Sequence, residues 1–224
     1  YTSNYKIGFT NYQKHGYINF VIENFNMDYG IPPSQEGHIS GVDITLVKNT
    51  VQVNSHFDIA LGRFKQLDIK YNFIDYEHKE FENNVDYYSV LLAKSTHNFK
   101  VEILSKMISL GAELEYKDFI PAGFYWTPNT DETNISFYGY INKNYKNYDL
   151  LGSFRIGHII IDPKPNYASY ANLEVDEIIK RDFSYISSSI GFEKKSNKWT
   201  YRGWLIQTMR PPKIEELYSD GPHL

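Results

Sequence analysis

The chain has 224 residues, 42% hydrophobic and 17% aromatic, with 20 tyrosines, no cysteine and a formal net charge of −4. That balance gives no electrostatic ground for nucleic-acid binding, and without cysteine there is neither a disulfide framework nor a thiolate metal site. No run of about 18 apolar residues occurs, which leaves no transmembrane helix but leaves open a membrane β-barrel, where only alternate residues meet lipid.

Alternation rather than helical periodicity runs along the chain, and it predicts about ten strands. In chain order they cover 3–11, 16–26, 39–61, 66–78, 89–104, 107–118, 134–142, 147–160, 181–193 and 198–209. In "SHFDIALG" Phe57, Ile59 and Leu61 face one way and His56, Asp58 and Ala60 the other. "QLDIKYNFID" sets Leu67, Ile69, Tyr71 and Phe73 against Asp68, Lys70 and Asn72. "NFKVEIL" opposes Phe99, Val101 and Ile103 to Lys100 and Glu102, and "LGAELEY" opposes Leu110, Ala112 and Leu114 to Gly111, Glu113 and Glu115. "LLGSFRIGHII" sets Leu150, Phe154, Ile156 and Ile160 against Ser153, Arg155 and Gly157. Each strand thus has one apolar and one polar face. Alternation alone does not say which face points inward.

Connection lengths carry more information. "YQKHG", "GRFKQ", "LSKM", "NKNYKN" and "EKKSNK" are short, and longer segments fall near 27–38, 79–88, 119–133 and 161–180. Up-and-down strands with short turns at one end and long loops at the other are the pattern of outer-membrane barrels. The fold expected is therefore all-β, an antiparallel up-and-down transmembrane barrel of which about ten strands are seen, with residues 1–224 forming one partial barrel domain.

Three segments resemble TonB-dependent outer-membrane receptors. The ending "RPPKIEELYSDGPHL" resembles a late-barrel segment of that family through Arg210, Pro212, Glu215, Glu216, Leu217, Gly221, Pro222 and His223. "YNFIDYEHKEFE" is similar to the family's Asp-Tyr-Glu-His-x-Glu segment at Asp75, Tyr76, Glu77, His78 and Glu80. "MDYGIPPSQEGHISGVDI" is similar to its Tyr-Gly-x-Pro loop at Tyr29, Gly30 and Pro32. The resemblance runs across almost the whole chain, in the family's order. It implies part of a 22-stranded barrel that lacks the plug and the closing strands, placed in the outer membrane of a Gram-negative bacterium. The partners it implies are lipid, the receptor's own plug and the TonB energy-transducing complex. The cargo it implies is a metal or metal complex (zinc, haem or a ferric siderophore), with no intrinsic cofactor. The last residues then read as the start of an external loop. The alternative from residues alone is a small soluble antiparallel barrel around an apolar ligand. A third reading, an enzyme using lumenal acids, lacks a nominated pair: Glu215 and Glu216 are adjacent carboxylates without a nucleophile, and the chain is not expected to be an enzyme.

Imidazole and carboxylate together suit a first-row cation. That makes His38, His78 and Glu80 the candidate metal ligands. His78 is favoured because Asp75, Glu77 and Glu80 surround it. In an extended chain His78 and Glu80 share a face, whereas Glu77 and His78 do not. Tyr29, Glu36, Tyr125 and Trp126 are candidate ligand contacts in the long loops. The plainer reading of each is a solvated loop residue or an interfacial aromatic. Arg155 and Arg202 are expected to pair with carboxylates inside.

Overall fold

The computed structural model describes residues 1–34, 38–82, 86–123, 127–164 and 175–218. Ten strands form one antiparallel sheet in the order of the chain. They are β1 (Thr2–Gln13), β2 (Gly16–Ile31), β3 (Val42–Leu61), β4 (Phe64–Phe81), β5 (Val90–Leu104), β6 (Ile108–Gly123), β7 (Asn129–Asn144), β8 (Asp149–Lys164), β9 (Arg181–Ser196) and β10 (Trp199–Gln207). A 3-10 turn, Val175–Glu177, precedes β9, and one helix, α1 (Ile214–Tyr218), follows β10. β1 and β10 are the two edges of the sheet.

The strands run past several expected ends, and the reason is local pairing. The 119–133 segment, expected as a long loop, is largely strand: β6 continues to Gly123 and β7 begins at Asn129. Pro121 is paired with Leu92 of β5, but β7 partners stop at Phe119. Pro163 likewise pairs with Thr130 of β7, whereas β9 partners stop at Ile161. Proline has no N–H to give, and a position paired on one side only tolerates it. The opposite correction applies at 39–41. Gly41 adopts a φ of 78°, and its amide donates to the His38 carbonyl at 3.0 Å, so those residues form a turn and β3 starts at Val42.

Cross-strand register sorts the side chains into two faces. On the apolar face Ile103, Leu110 and Gly139 lie in one row, and Ile186, Ile156 and Phe137 in another. Those rows are the exposed ones: Ile156 is 50% exposed and Phe137 60%. On the polar face Thr50, Thr96, Ser136, Tyr138 and Tyr185 are buried, whereas toward the edges of the sheet Tyr12 and Ile206 on that face are exposed.

Four glycines lie directly beneath an aromatic ring of the neighbouring strand. Gly111 pairs with Tyr138, Gly157 with Tyr185, Gly191 with Trp204, and Gly139 with Phe154. A Cβ at Gly111, Gly157 or Gly191 would stand 2.2–2.3 Å from the ring above it. The rings lie down on the sheet because the glycine leaves room, an aromatic rescue of weak strand positions.

Candidate functional site

The polar face carries a ladder of hydrogen bonds and ion pairs from one end of the sheet to the other. At the short-turn end His56 Nδ1 and Asp68 Oδ1 are 2.7 Å apart. At mid-height Arg155 reaches Glu113 Oε2 at 2.6 Å and donates to Ser136 Oγ at 2.8 Å, while Asn98 donates to Glu113 Oε1 at 2.8 Å. Nearer the long loops Lys117 bridges Glu115 and Glu132, each at 2.7 Å. Arg155 therefore has the inward pairing expected of it. Arg202, near the short-turn end of edge strand β10, bonds Glu193 at 2.6 Å.

The Asp-Tyr-Glu-His segment lies at the long-loop end of β4, and alternation divides it. Tyr76, His78 and Glu80 point to the polar face, and Glu77 to the other, where it pairs with Lys79 at 2.7 Å. The Tyr76 hydroxyl is 3.3 Å from His78 Nδ1, and His78 Nε2 is 3.0 Å from Glu80 Oε1. His78 and Glu80 thus converge as their spacing requires. Tyr29 is in the same row through the register Tyr29–Ile44–Glu80. His38 does not join them: its Nδ1 is bonded to Glu82. Glu36, Tyr125, Trp126, Gly221 and His223 lie outside the described residues. Among the described residues no three or more histidine and carboxylate groups gather as a metal site.

Of the closing segment, residues 208–218 are described, and this part does not extend away from the sheet. It leaves β10 and crosses the polar face, where the Met209 amide donates to Ser187 Oγ at 3.1 Å and that hydroxyl donates back to the Met209 carbonyl at 3.3 Å. α1 then packs Ile214 and Tyr218 against Phe119, Ile159, Ile161 and Ile178, with Leu217 at the edge of the cluster. The Tyr218 hydroxyl donates to the Ile179 carbonyl at 2.8 Å. A polar cavity of about 250 Å³ remains under the helix, bounded by Lys94, Lys117, Phe119, Glu132, Lys213, Ile214 and Glu215. No feature of the residue pattern had placed this segment over the polar face.

Two residues of the ending lock its shape. Arg210 grips both Glu216 oxygens, at 2.7 and 2.8 Å, and the Lys213 amide donates to Glu216 Oε2 at 2.7 Å. Arg210 first, then the Lys213 amide, hold the Glu216 carboxyl down at about 2. A carboxylate lowered by folding stabilises most above its ordinary value of 4.5, and that contribution fades as pH falls through about 2. Carboxyl-carbon NMR should therefore find Glu216 still ionised at pH values where free glutamate is protonated. Arg210→Ala should return its midpoint toward 4.5; a wild-type midpoint already near that value would contradict the clamp. Pro212 sits between the two partners, and Glu215 faces the cavity. The two glutamates of the expected motif therefore have separate jobs.

Comparison with known proteins finds no family model that matches the chain and no match among curated proteins.

Proposed function

We propose that the chain forms part of the closed barrel of a TonB-dependent receptor in the outer membrane of a Gram-negative bacterium, and that the receptor imports a metal complex. The observation that supports the reading is the arrangement of the faces: exposed apolar rows on one, ion pairs and buried polar side chains on the other. The exposed band has borders that match a bilayer. Toward the long loops Asp118, Asp131 and Asp162 form one cross-strand row on the apolar face. Toward the short turns Lys14, Arg63, Lys106, Lys146 and Lys198 occupy the connections. On β8 the band runs from Leu150 to Ile160, interrupted near the long loops by His158, whose Nδ1 is 3.0 Å from Ser184 Oγ; its length is roughly 33 Å at about 3.3 Å per residue. Tilted by about 40°, that length covers the roughly 25 Å of a lipid-facing belt. On the polar side the buried Asn72 Oδ1 and Arg155 Nε have no protein partner among the described residues, which suits a hydrated lumen. A small soluble barrel around an apolar ligand needs the apolar rows inside, and they are the exposed ones.

Tyr29, His78 and Glu80 stand at the long-loop mouth of that lumen, where cargo arrives. Two metal donors are fewer than the four of a closed zinc site. They fit a complex that brings its own ligands better than a bare ion. The outer-membrane location, the plug and the TonB coupling follow from the same reading.

The chain has no cysteine of its own, so a single cysteine placed in it, with any cysteine elsewhere in the full-length protein replaced by serine, reports one position. Cysteine at Phe137 or Ile156 should react with a lipid-soluble maleimide and resist a membrane-impermeant one; cysteine at Asn98 should do the reverse. Labelling of all three by the aqueous reagent in membranes would refute the orientation. Titrating the same protein with zinc, haem and ferric siderophores assigns the cargo.

A further inference from the structure

The apolar face carries a groove that begins among cations. Its lower part, about 370 Å³, is bounded by Arg63, Lys65, Ser105, Lys106, Met107 and Ile108. Its upper part, about 400 Å³, starts again at Ile108 and continues along Leu110, Ile141, Gly152 and Phe154. Ile108 lines both, so the two hollows adjoin on one side of the sheet, the lower one bordered by the stems of Arg63, Lys65 and Lys106. The register agrees. Ile108 and Leu110 oppose Ile141 and Gly139, and Lys65 follows the same alternation as Leu67 on β4.

The geometry has reasons in the sequence. Gly139 and Gly152 contribute no side chain to the apolar surface, and a Cβ on Gly152 would stand 2.9 Å from Ile141 Cγ2. The Phe154 ring and the Ile141 side chain lie down over these glycines, so the channel is shallow and floored by apolar side chains. The β5–β6 turn is fixed by Ser105, whose hydroxyl donates to the Ile108 carbonyl at 2.9 Å and accepts the Met107 and Ile108 amides at 3.3 and 3.0 Å. That turn satisfies its own polar groups and leaves the cations over. Among the described residues no carboxylate pairs with Arg63, Lys65 or Lys106, although elsewhere on this chain lysines are repeatedly paired. Arg63, Lys65 and Lys106 border one hollow without a carboxylate partner among the described residues, and cations gathered at one rim attract an anion. An apolar channel continuing from it accommodates hydrocarbon.

We propose that this groove binds one anionic phospholipid, with the phosphate among Arg63, Lys65 and Lys106 and an acyl chain along Leu110, Ile141 and Phe154. The proposal rests on the reading that the apolar face meets a bilayer. It adds to that reading a fixed lipid at the short-turn rim, in the leaflet that those turns reach. Charge complementarity selects the occupant: a zwitterionic lipid leaves the cations without a net counter-charge, and a free anion leaves the channel empty.

The test uses the full-length protein in phosphatidylethanolamine vesicles with and without phosphatidylglycerol. Flotation reads insertion, and native mass spectrometry reads the lipid retained. Wild type should retain phosphatidylglycerol in preference to phosphatidylethanolamine. The triple variant Arg63→Gln/Lys65→Gln/Lys106→Gln should lose that preference by about fivefold per cation, on the order of a hundredfold in all. Lys14→Gln/Lys146→Gln/Lys198→Gln removes the same charge from other turns and should leave the preference in place. Equal loss in both variants, or insertion of wild type without any preference, overturns the lipid site while the membrane reading stands. Failure of wild type to float with vesicles overturns both.

Discussion

If the apolar face meets lipid, as proposed, Ile156→Arg in the full-length protein is expected to prevent stable assembly in the outer membrane, although the residue beside it is already an arginine. Ile156 lies near the middle of the band that β8 presents, between Phe137 and Ile186, and is 50% exposed. A guanidinium facing lipid at that depth costs about 2–4 kcal/mol, a large part of the 5–15 kcal/mol that holds a typical protein folded. Arg155 escapes the cost because alternation turns it inward, where Glu113 and Ser136 receive it at 2.6 and 2.8 Å. The control is Asn98→Arg on the polar face. Asn98 already donates to Glu113 at 2.8 Å, so a guanidinium replaces one donor by another and assembly should be retained. Depth supplies a further check. Phe73 is the last apolar position of β4 before Asp75 on the same face, so Phe73→Arg sits near the band's border and should cost only about 0–1 kcal/mol. Outer-membrane recovery and heat-modified gel mobility of the three variants should rank Ile156→Arg well below the others. Equal recovery of Ile156→Arg and Asn98→Arg would rule out lipid on the apolar face.

The same alternation explains how much of the fold could be read beforehand. A strand with one apolar and one polar face writes itself into the sequence at period 2, so all ten strands and the two-faced sheet were legible. What failed were the ends at the long loops. "DFIPAG" and "IIIDPK" lose the alternation and contain a proline, and both features normally close a strand. They remain in the sheet because each proline is paired on one side only, a fact about neighbouring strands that no single segment contains. The candidate site divides along the same line. His78 and Glu80 share a face by spacing alone, so their convergence was legible. His38 turning to Glu82 depends on where two loops meet, and the path of Arg210–Tyr218 over the polar face depends on packing against Phe119 of β6 and Ile159 and Ile161 of β8. The glycine–aromatic pairs were hidden for a related reason. Gly111 and Gly157 read as small residues on a polar face, and only register sets Tyr138 and Tyr185 above them.

Those pairs make the second large prediction. Gly157→Ala adds one carbon, and in an ordinary strand exchanging glycine for alanine stabilises slightly. Here the new Cβ would lie 2.2 Å from Tyr185 Cζ and 2.4 Å from its hydroxyl. The ring is 7% exposed and its hydroxyl donates to Asn134 Oδ1 at 3.0 Å, so it has little room to retreat without giving up that bond. Overpacking of this kind costs about 1–3 kcal/mol, and leaving the Asn134 oxygen short of a donor adds about 1 kcal/mol or more. Denaturant unfolding of the detergent-folded protein should therefore show Gly157→Ala destabilised by roughly 2–4 kcal/mol. Gly203→Ala, where a Cβ meets nothing within 4 Å, should stay within about 0.5 kcal/mol of wild type. Tyr185→Ala separates steric conflict from a general intolerance of Gly157. Removing the ring clears the space that the methyl needs, so the double variant Gly157→Ala/Tyr185→Ala should be less destabilised than the sum of the single changes by about 1–2 kcal/mol. Strictly additive losses would mean that the ring does not lie on Gly157, and that the register of β8 against β9 differs from Gly157 opposite Tyr185. Because a one-residue slip exchanges the two faces of a strand, such a result would also remove the ground for placing Ile156 outside and Arg155 inside.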